Sequence, residues 1–261
     1  MRVLVPDPFR LSGVYLVTGG TRGIGRAISL QFARAGGRVV ANYVRNEKAA
    51  TEFKSSPDAQ GLPIDLCRAD LTTSEGLDRV EARLKETDSL LAGLIHCAAT
   101  GTHRPLEELT GRHFEWTFAL NVRALFELVK RLLPRFDRAS SILAISSYGA
   151  TRALPHYAAI GASKGALEAL IRHLAIELAP RGIRANALTP GAVSTDAWKA
   201  IPDGDARLAE ATRQSPIGRL ITPEEVAAGA QFLCSPAASG INGQTLIVDG
   251  GSCIVTGQAR M

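Results

Sequence analysis

The 261-residue chain lacks most of what marks a secreted, metal-binding, membrane or nucleic-acid-binding protein. Its four cysteines, Cys67, Cys97, Cys234 and Cys253, are far apart. None forms a CxxC pair or a metal-ligand spacing, so no metal site is expected, and reduced thiols in a cytoplasmic protein are the default. Cys67 and Cys97 lie in apolar, strand-like runs and read as core residues. No apolar stretch reaches the roughly 20 residues of a membrane span. Residues 1–11 hold two prolines and an aspartate in place of a signal peptide's apolar run; they read as an N-terminal extension ahead of a first strand. The net charge is +5, but the basic residues are scattered. Nucleic-acid binding therefore has little support, which leaves a phosphate-bearing ligand, an acidic partner or a plain basic surface. Aromatic residues are scarce at 5%, with two tryptophans and four tyrosines, so a tyrosine in a polar segment carries information.

What is present is an ordinary globular composition, 46% hydrophobic and 21% charged, in a strand–helix alternation. Apolar runs at 14–18, 37–43, 62–69, 91–97, 140–146, 183–188 and 244–248 read as seven strands covered on both faces. Segments of helical periodicity separate them. This order predicts an α/β fold, a seven-stranded parallel sheet with right-handed crossovers and helices on both faces. No composition break divides it, so residues 1–261 read as one domain. The one long irregular stretch, 190–222, is expected to be a substrate-binding loop or lid. Thr72, Thr73 and Ser74 offer a helix cap before Glu75, and Thr222-Pro223-Glu224-Glu225 opens another helix.

The first strand runs straight into Thr18-Gly19-Gly20-Thr21-Arg22-Gly23-Ile24-Gly25, and a helix pattern follows. Glycines at this spacing permit a tight turn and close approach of a pyrophosphate, while the helix start offers free N–H groups and a favourable dipole. The strand–turn–helix context is what separates a dinucleotide cradle from an ordinary glycine turn. At the end of the second strand an acid would bond the ribose hydroxyls of NAD and repel a 2′-phosphate. Here the residues are Asn42-Tyr43-Val44-Arg45-Asn46, with no acid before Glu47. Arg22 and Arg45 are placed to clamp a phosphate, and a solvated surface is the competing reading. The expected cofactor is NADPH.

Further motifs then converge. Together they resemble the short-chain dehydrogenase/reductase family over nearly the whole chain, and the resemblance implies a Rossmann fold. Thr18 to Gly25 resembles that family's cofactor motif. Asp70-Leu71 resembles the pair that holds adenine, and Ala98 lies in the segment that floors the nicotinamide. Asn121 resembles the helix asparagine that props the catalytic lysine through water, and Ser147 and Lys164 stand where a catalytic serine and lysine belong. Pro190-Gly191-Ala192-Val193-x-Thr195 resembles the segment over the nicotinamide, and Asp249-Gly250-Gly251 resembles the C-terminal signature. Two departures stand out. The family's Asn-Asn-Ala-Gly is here His96-Cys97-Ala98-Ala99, a floor expected to stay small and apolar. The usual Tyr-x3-Lys is absent, since Ile160 lies four residues before Lys164 and the nearest upstream tyrosine is Tyr157. Tyr-x6-Lys resembles the enoyl-acyl carrier protein reductases of this superfamily, and the mixture of features is similar to their third, FabL-like, bacterial type. Ala98-Ala99-x-Gly101-x-x-Arg104-Pro105 and Thr195-Asp196-Ala197 extend that likeness. A homotetramer, or a homodimer, is also what the resemblance implies.

The displaced tyrosine suggests a reaction. Four residues make about one helical turn and seven about two, so both spacings put Tyr and Lys on one face. The longer spacing sets the hydroxyl further from the nicotinamide. In a ketone the carbon that takes hydride carries the oxygen. In a 2-enoyl thioester it lies at the β position, three bonds from the oxygen that gains charge. A donor must point to where charge develops, and a tyrosine set further out suits the thioester. Tyr157, Lys164, Ser147 and Asn121 are thus the expected catalytic set. Lys164 is expected to hold the ribose and favour the anionic form of the tyrosine. Tyr148 and Trp198 are candidate substrate contacts, against a turn tyrosine and a lid-packing residue. Arg123, Lys130 and Arg131 are a candidate surface for an acidic acyl carrier protein, against a solvated helix face. The expected function is NADPH-dependent reduction of the C=C bond of an acyl thioester. The alternatives are a carbonyl reductase of 3-oxoacyl, steroid or polyketide ketones, and a catalytically silent NADP-binding sensor.

Overall fold

Seven strands line up in parallel in the order β3-β2-β1-β4-β5-β6-β7. They are β1 (Val14–Thr18), β2 (Arg38–Tyr43), β3 (Ile64–Arg68), β4 (Leu91–His96), β5 (Phe136–Ile145), β6 (Arg184–Pro190) and β7 (Thr245–Val248). The computed structural model describes residues 7–196, 198 and 203–255; positions 1–6 of the expected extension and 197 and 199–202 of the expected lid lie outside the described residues. The helices are α1 (Gly23–Arg34), α2 (Glu47–Ser55), α3 (Ser74–Lys85), α4 (Gly111–Phe118), α5 (Ala124–Leu132), α6 (Ala158–Leu178), α7 (Gly204–Gln214) and α8 (Pro223–Cys234). The sheet separates two cores, as the continuous apolar strand runs require. Val14 and Leu16 of β1 pack with α3, α5 and α6, through residues such as Val80, Leu128 and Leu167. Tyr15 and Val17, pointing the other way, pack with α1 and α8 through Ile28, Phe32 and Ala230. Phe32 is wholly buried and meets the Tyr15 ring edge-on at 5.1 Å; truncating it to alanine costs about 3–5 kcal/mol.

Strand order reverses between β1 and β4, and a doubly wound sheet opens its ligand crevice at that switch point. The polar residues singled out from the sequence cluster at the C-terminal strand ends that border it: Thr18, Asn42, Asp70, His96 and Ser147.

Local chemistry sets the helix ends. Thr73 is the residue that caps α3, accepting from Gly76 N–H at 3.1 Å, and Glu75 follows in the positive first turn. Thr222 and Glu225 form a reciprocal capping box on α8. Between α4 and α5 the chain makes a π-helical turn, Ala119–Arg123, that carries Asn121; such wide turns recur at functional sites.

Two expectations need correction. The stretch 190–222 is not irregular throughout, because α7 forms within it. Only Gly204 of α7 is buried, so the helix lacks the apolar stripe from which a helix is recognised. Strand β5 begins at Phe136, not near residue 140, because Phe136 already pairs with Leu91. A register shift and a left-handed Ala139 (φ 67°) then break the run, and the exposed residues 137–139 hide its start.

Candidate active site

The glycine loop between β1 and α1 is a cradle only glycine can form. A Cβ on Gly25 would stand 2.1 Å from the Gly19 carbonyl oxygen, and Gly19 itself has φ +64° and abuts Ala98. Arg22, at the N-cap of α1, gives no side-chain cap. The amides at the start of the helix are therefore left for an anion, as a pyrophosphate requires. Thr21 is buried beneath the turn. Thr195 reaches over it, 3.7 Å from where a Cβ of Gly23 would stand. Ile24 is half-buried and packs against the α1–α8 core.

At the adenosine end Asp70 Oδ1 accepts from the Thr72 N–H at 2.9 Å and hydroxyl at 2.7 Å, while Leu71 is buried. Asn42, an expected cofactor contact, is anchored within the sheet. Its amide is buried and donates to the Cys67 and Ala69 carbonyls at 3.2 and 2.9 Å, and its own carbonyl accepts from Gly20 N–H at 2.9 Å. It staples β2 to β3 and to the glycine loop. Arg45 is exposed, and the nearby acid, Glu47, is engaged by Arg68 at 2.8 Å. Among the described residues neither Arg22 nor Arg45 forms an ion pair, so both cations stay available to a phosphate. The donor set fits a nicotinamide dinucleotide.

His96 is wholly buried. Thr18 Oγ1 accepts from the Cys97 and Ala98 amides at 3.1 and 3.0 Å. Its one hydrogen therefore goes to His96 Nδ1 at 3.1 Å, which leaves the Nε2–H to donate to the Leu120 carbonyl at 3.1 Å. Burial, reinforced by the Lys164 charge, holds this imidazole down to about 3. Far from a small apolar floor position, His96 is a neutral bridge from the glycine loop to the π-turn. Beyond it Asn121 spends its side chain on the Thr100 amide and carbonyl, both at 2.9 Å, and donates to Ser163 Oγ at 2.9 Å. Asn121 thus pins the 97–106 loop to α6.

Helix α6 begins at Ala158, with Tyr157 at its N-cap. His156, just before it, takes a left-handed φ of 60°, a conformation open to few non-glycine residues, and so turns the chain into the helix. Tyr157 O–H donates to Ser147 Oγ at 3.2 Å. Its ring fills a notch over Gly149 and Gly161, where a Cβ on Gly149 would stand 2.5 Å from it. The His103 ring tilts against it at 5.2 Å. Ser147 Oγ also accepts from Gly149 N–H, so its own hydrogen remains free to donate. Ile160, at the position the family's tyrosine would hold, is buried against Gly101 and offers no polar group.

Lys164 is buried, and its Nζ donates to the Ile145 carbonyl at 2.7 Å. Burial pushes it down to about 8, against the opposing influence of Cys97 and Glu168. Burial also raises the Tyr157 hydroxyl, with the Ser147 bond opposing, and Lys164 is not among the influences on it. The direction of this shift runs against the expected lysine-favoured phenolate. The physical reason is that the ammonium is turned to the end of β5. Glu168 lies one turn past Lys164, is buried, and accepts from Ser146 Oγ at 2.5 Å and Thr189 Oγ1 at 3.3 Å. Sequence reading missed it, although its i,i+4 spacing from Lys164 was visible.

Tyr148 is committed elsewhere. Its hydroxyl donates to Asp249 Oδ2, and the Arg152 guanidinium lies 5.4 Å from its ring centre. Burial and that bond push the phenol up. Asp249 accepts in addition from the Gly251 and Cys253 amides at 2.9 and 2.7 Å, so Tyr148 latches the C-terminal segment to the 147–157 loop. In the segment expected to lie over the nicotinamide, Gly191 packs on Asp249 and Pro190 closes β6. Val193 is buried and bridges to Ile221. Trp198 is half-exposed and donates its indole N–H to the Val193 carbonyl at 2.8 Å, which anchors the lid segment. Of the expected carrier surface, Arg131 pairs with Asp78 and Arg123 donates to the Thr72 carbonyl at 3.1 Å. Among the described residues no cluster of His, Cys, Asp or Glu could hold a metal, and no helix is long and apolar enough to cross a membrane.

The chain is similar to known proteins over most of its length. A family model described as enoyl-(acyl carrier protein) reductase matches residues 19–253. The 1-cyclohexenylcarbonyl-CoA reductase of Streptomyces collinus is 33% identical over 244 residues, 93% of this chain and 87% of its own. The 7alpha-hydroxysteroid dehydrogenase of Escherichia coli (strain K12) is 33% identical over 254 residues, 94% of this chain and 96% of its own. Among solved structures, the angucycline C-6 ketoreductase LanV with bound NADP superposes with a TM-score of 0.85 at 31% identity, covering 94% of this chain and 99% of that one.

Proposed function

The chain belongs to the short-chain dehydrogenase/reductase family, and from that premise we propose that it reduces the C=C bond of 2-enoyl thioesters with NADPH. The observation that carries this reading is the placement of hydroxyls. Tyr157 meets Ser147, Ile160 leaves the usual tyrosine position apolar, and Tyr148 is held by Asp249. The glycine loop, Arg22, Arg45, Asp70 and Lys164 would hold NADPH, which would supply hydride when bound. Hydride added at the β-carbon leaves negative charge on the thioester oxygen, which accepts a hydrogen bond from the Tyr157–Ser147 pair, and a proton from Tyr157 or water then completes reduction at the α-carbon. A protonated Tyr157 suits that donor role. Lys164, buried and charged below about pH 8, holds the ribose and adds positive charge to the site. The match to an enoyl reductase family model, and a relative named for reducing an unsaturated acyl-CoA, support the same reading.

A carbonyl reductase is the second reading, favoured by the likeness to a hydroxysteroid dehydrogenase and a ketoreductase. Purified protein offered crotonyl and acetoacetyl thioesters with NADPH separates the two. Turnover of the crotonyl ester is expected, and turnover of the ketone alone refutes the enoyl assignment. We further propose a homo-oligomer, a tetramer or dimer, because Phe114, Trp116, Phe126 and Ile176 leave apolar surface exposed on α4, α5 and α6. Light scattering on the eluted protein reads its mass, and a monomer at micromolar concentration contradicts the assembly.

A further inference from the structure

Beside Tyr157 lies a cavity of about 330 Å³ that no step above uses. Two loops frame it. Arg104 and Leu106 come from the segment after β4, and Arg152, Leu154 and His156 come from the segment leading into α6. Its ionisable lining is basic apart from the tyrosine itself, with no aspartate or glutamate among the described lining residues. Arg104 has one exposed partner, Glu108, at 3.3 Å, and an exposed pair of that kind is worth little. Arg152 donates to the Cys253 carbonyl and lies against the Tyr148 ring, which holds its guanidinium at the cavity wall. Leu106 and Leu154 are 76% and 41% exposed, an apolar rim with nothing over it among the described residues. The cavity therefore offers a ligand an apolar rim and two guanidinium groups.

We propose that this cavity receives the phosphorylated pantetheine arm of the substrate, with Arg104 and Arg152 holding its phosphate. The inference rests on the thioester reading of the site. A carbonyl bonded by the Tyr157–Ser147 pair sends its sulfur substituent along the wall that Tyr157 shares with the cavity. The apolar rim faces the methyl-bearing part of the arm, and the arginines meet the phosphate by charge-assisted bonds. Coenzyme A and an acyl carrier protein both present this phosphate, so the subsite accepts the arm from either source.

The test is a ratio: kcat/KM for crotonyl-4′-phosphopantetheine over kcat/KM for crotonyl-pantetheine, which lacks the phosphate. A ratio of about ten at low salt is expected for the natural protein, from two partly exposed charge-assisted contacts. It should fall toward one in Arg104→Gln/Arg152→Gln and recover in Arg104→Lys/Arg152→Lys. A ratio near one in the natural protein, or one that persists in the glutamine variant, overturns the proposal. Crotonyl-CoA and a crotonyl carrier protein should lose activity in parallel in the glutamine variant. A loss confined to the carrier protein overturns the phosphate subsite in favour of protein docking. The acetoacetyl pair is run alongside. If only the ketones turn over, the C=C reading falls while their ratio still reads the subsite; if no thioester turns over, both fall together.

Discussion

His96 gives the structure a pH dependence whose size can be worked out. Its imidazole sits near 3 in the folded chain against about 6.5 when unfolded. A folded pKa below the unfolded one means that the unfolded chain binds more protons between the two values. Stability is therefore full above about pH 6.5 and lost progressively as pH falls toward 3. At pH 5 the deficit is about 1.5 pH units, or about 2 kcal/mol at 1.36 kcal/mol per unit. His96→Asn supplies an acceptor for Thr18 and a donor for Leu120 without a titrating group. Urea unfolding at pH 7 and pH 5, at fixed protein concentration, reads the difference. With an m-value of about 2–3 kcal/mol/M, the unfolding midpoint of the natural protein should drop roughly 0.7–1 M further than that of the variant. Carboxylates elsewhere titrate alike in both proteins and cancel. Equal drops refute the buried neutral bridge.

Three more outcomes are expected. Arg45→Asp should cut the NADPH-over-NADH preference by about ten- to a hundredfold, the worth of a charge-assisted contact, and unchanged Kd values for both cofactors remove Arg45 from the site. Glu168→Gln should push Lys164 below its value of about 8, so that NADPH binds several-fold more weakly at pH 8 but nearly normally at pH 6.5; a pH profile like the natural one contradicts the coupling. Cys97 can oppose the lowering of Lys164 only as a thiolate, and burial raises its thiol to about 11, so it is neutral at pH 8 and Cys97→Ser should leave that profile in place.

The fold was legible because its signals are local. Seven apolar runs of strand length, a glycine turn in strand–helix context and the Thr222 cap all describe short pieces of chain whose neighbours obey the same pattern. The exceptions have identifiable causes. Helix α7 shows no apolar stripe because only Gly204 of it is buried. The start of β5 is masked by a register shift and a left-handed residue. In the site, motif spacing singled out Tyr157 and Ser147, and the fold brings their hydroxyls together. The fates of Tyr148, Asn42 and Trp198 depended on partners that spacing does not reveal. Tyr148 meets Asp249 across 101 residues, and Asn42 meets carbonyls 25 and 27 residues away. The protonation of Tyr157 turns on burial and on which way Lys164 points, and neither is written in a motif.

Side-by-side turnover of a crotonyl thioester by Tyr157→Phe and Tyr148→Phe tests the central claim most directly, with NADPH binding measured on both. Loss of a hydrogen-bond donor aimed at the developing charge costs about 10²–10³ in kcat. The expected result is that fall for Tyr157→Phe with NADPH Kd preserved. Tyr148→Phe should stay within a few-fold of the natural kcat and lose only about 1 kcal/mol of stability with its Asp249 bond. Full crotonyl turnover by Tyr157→Phe, or a collapse in Tyr148→Phe instead, would contradict the account.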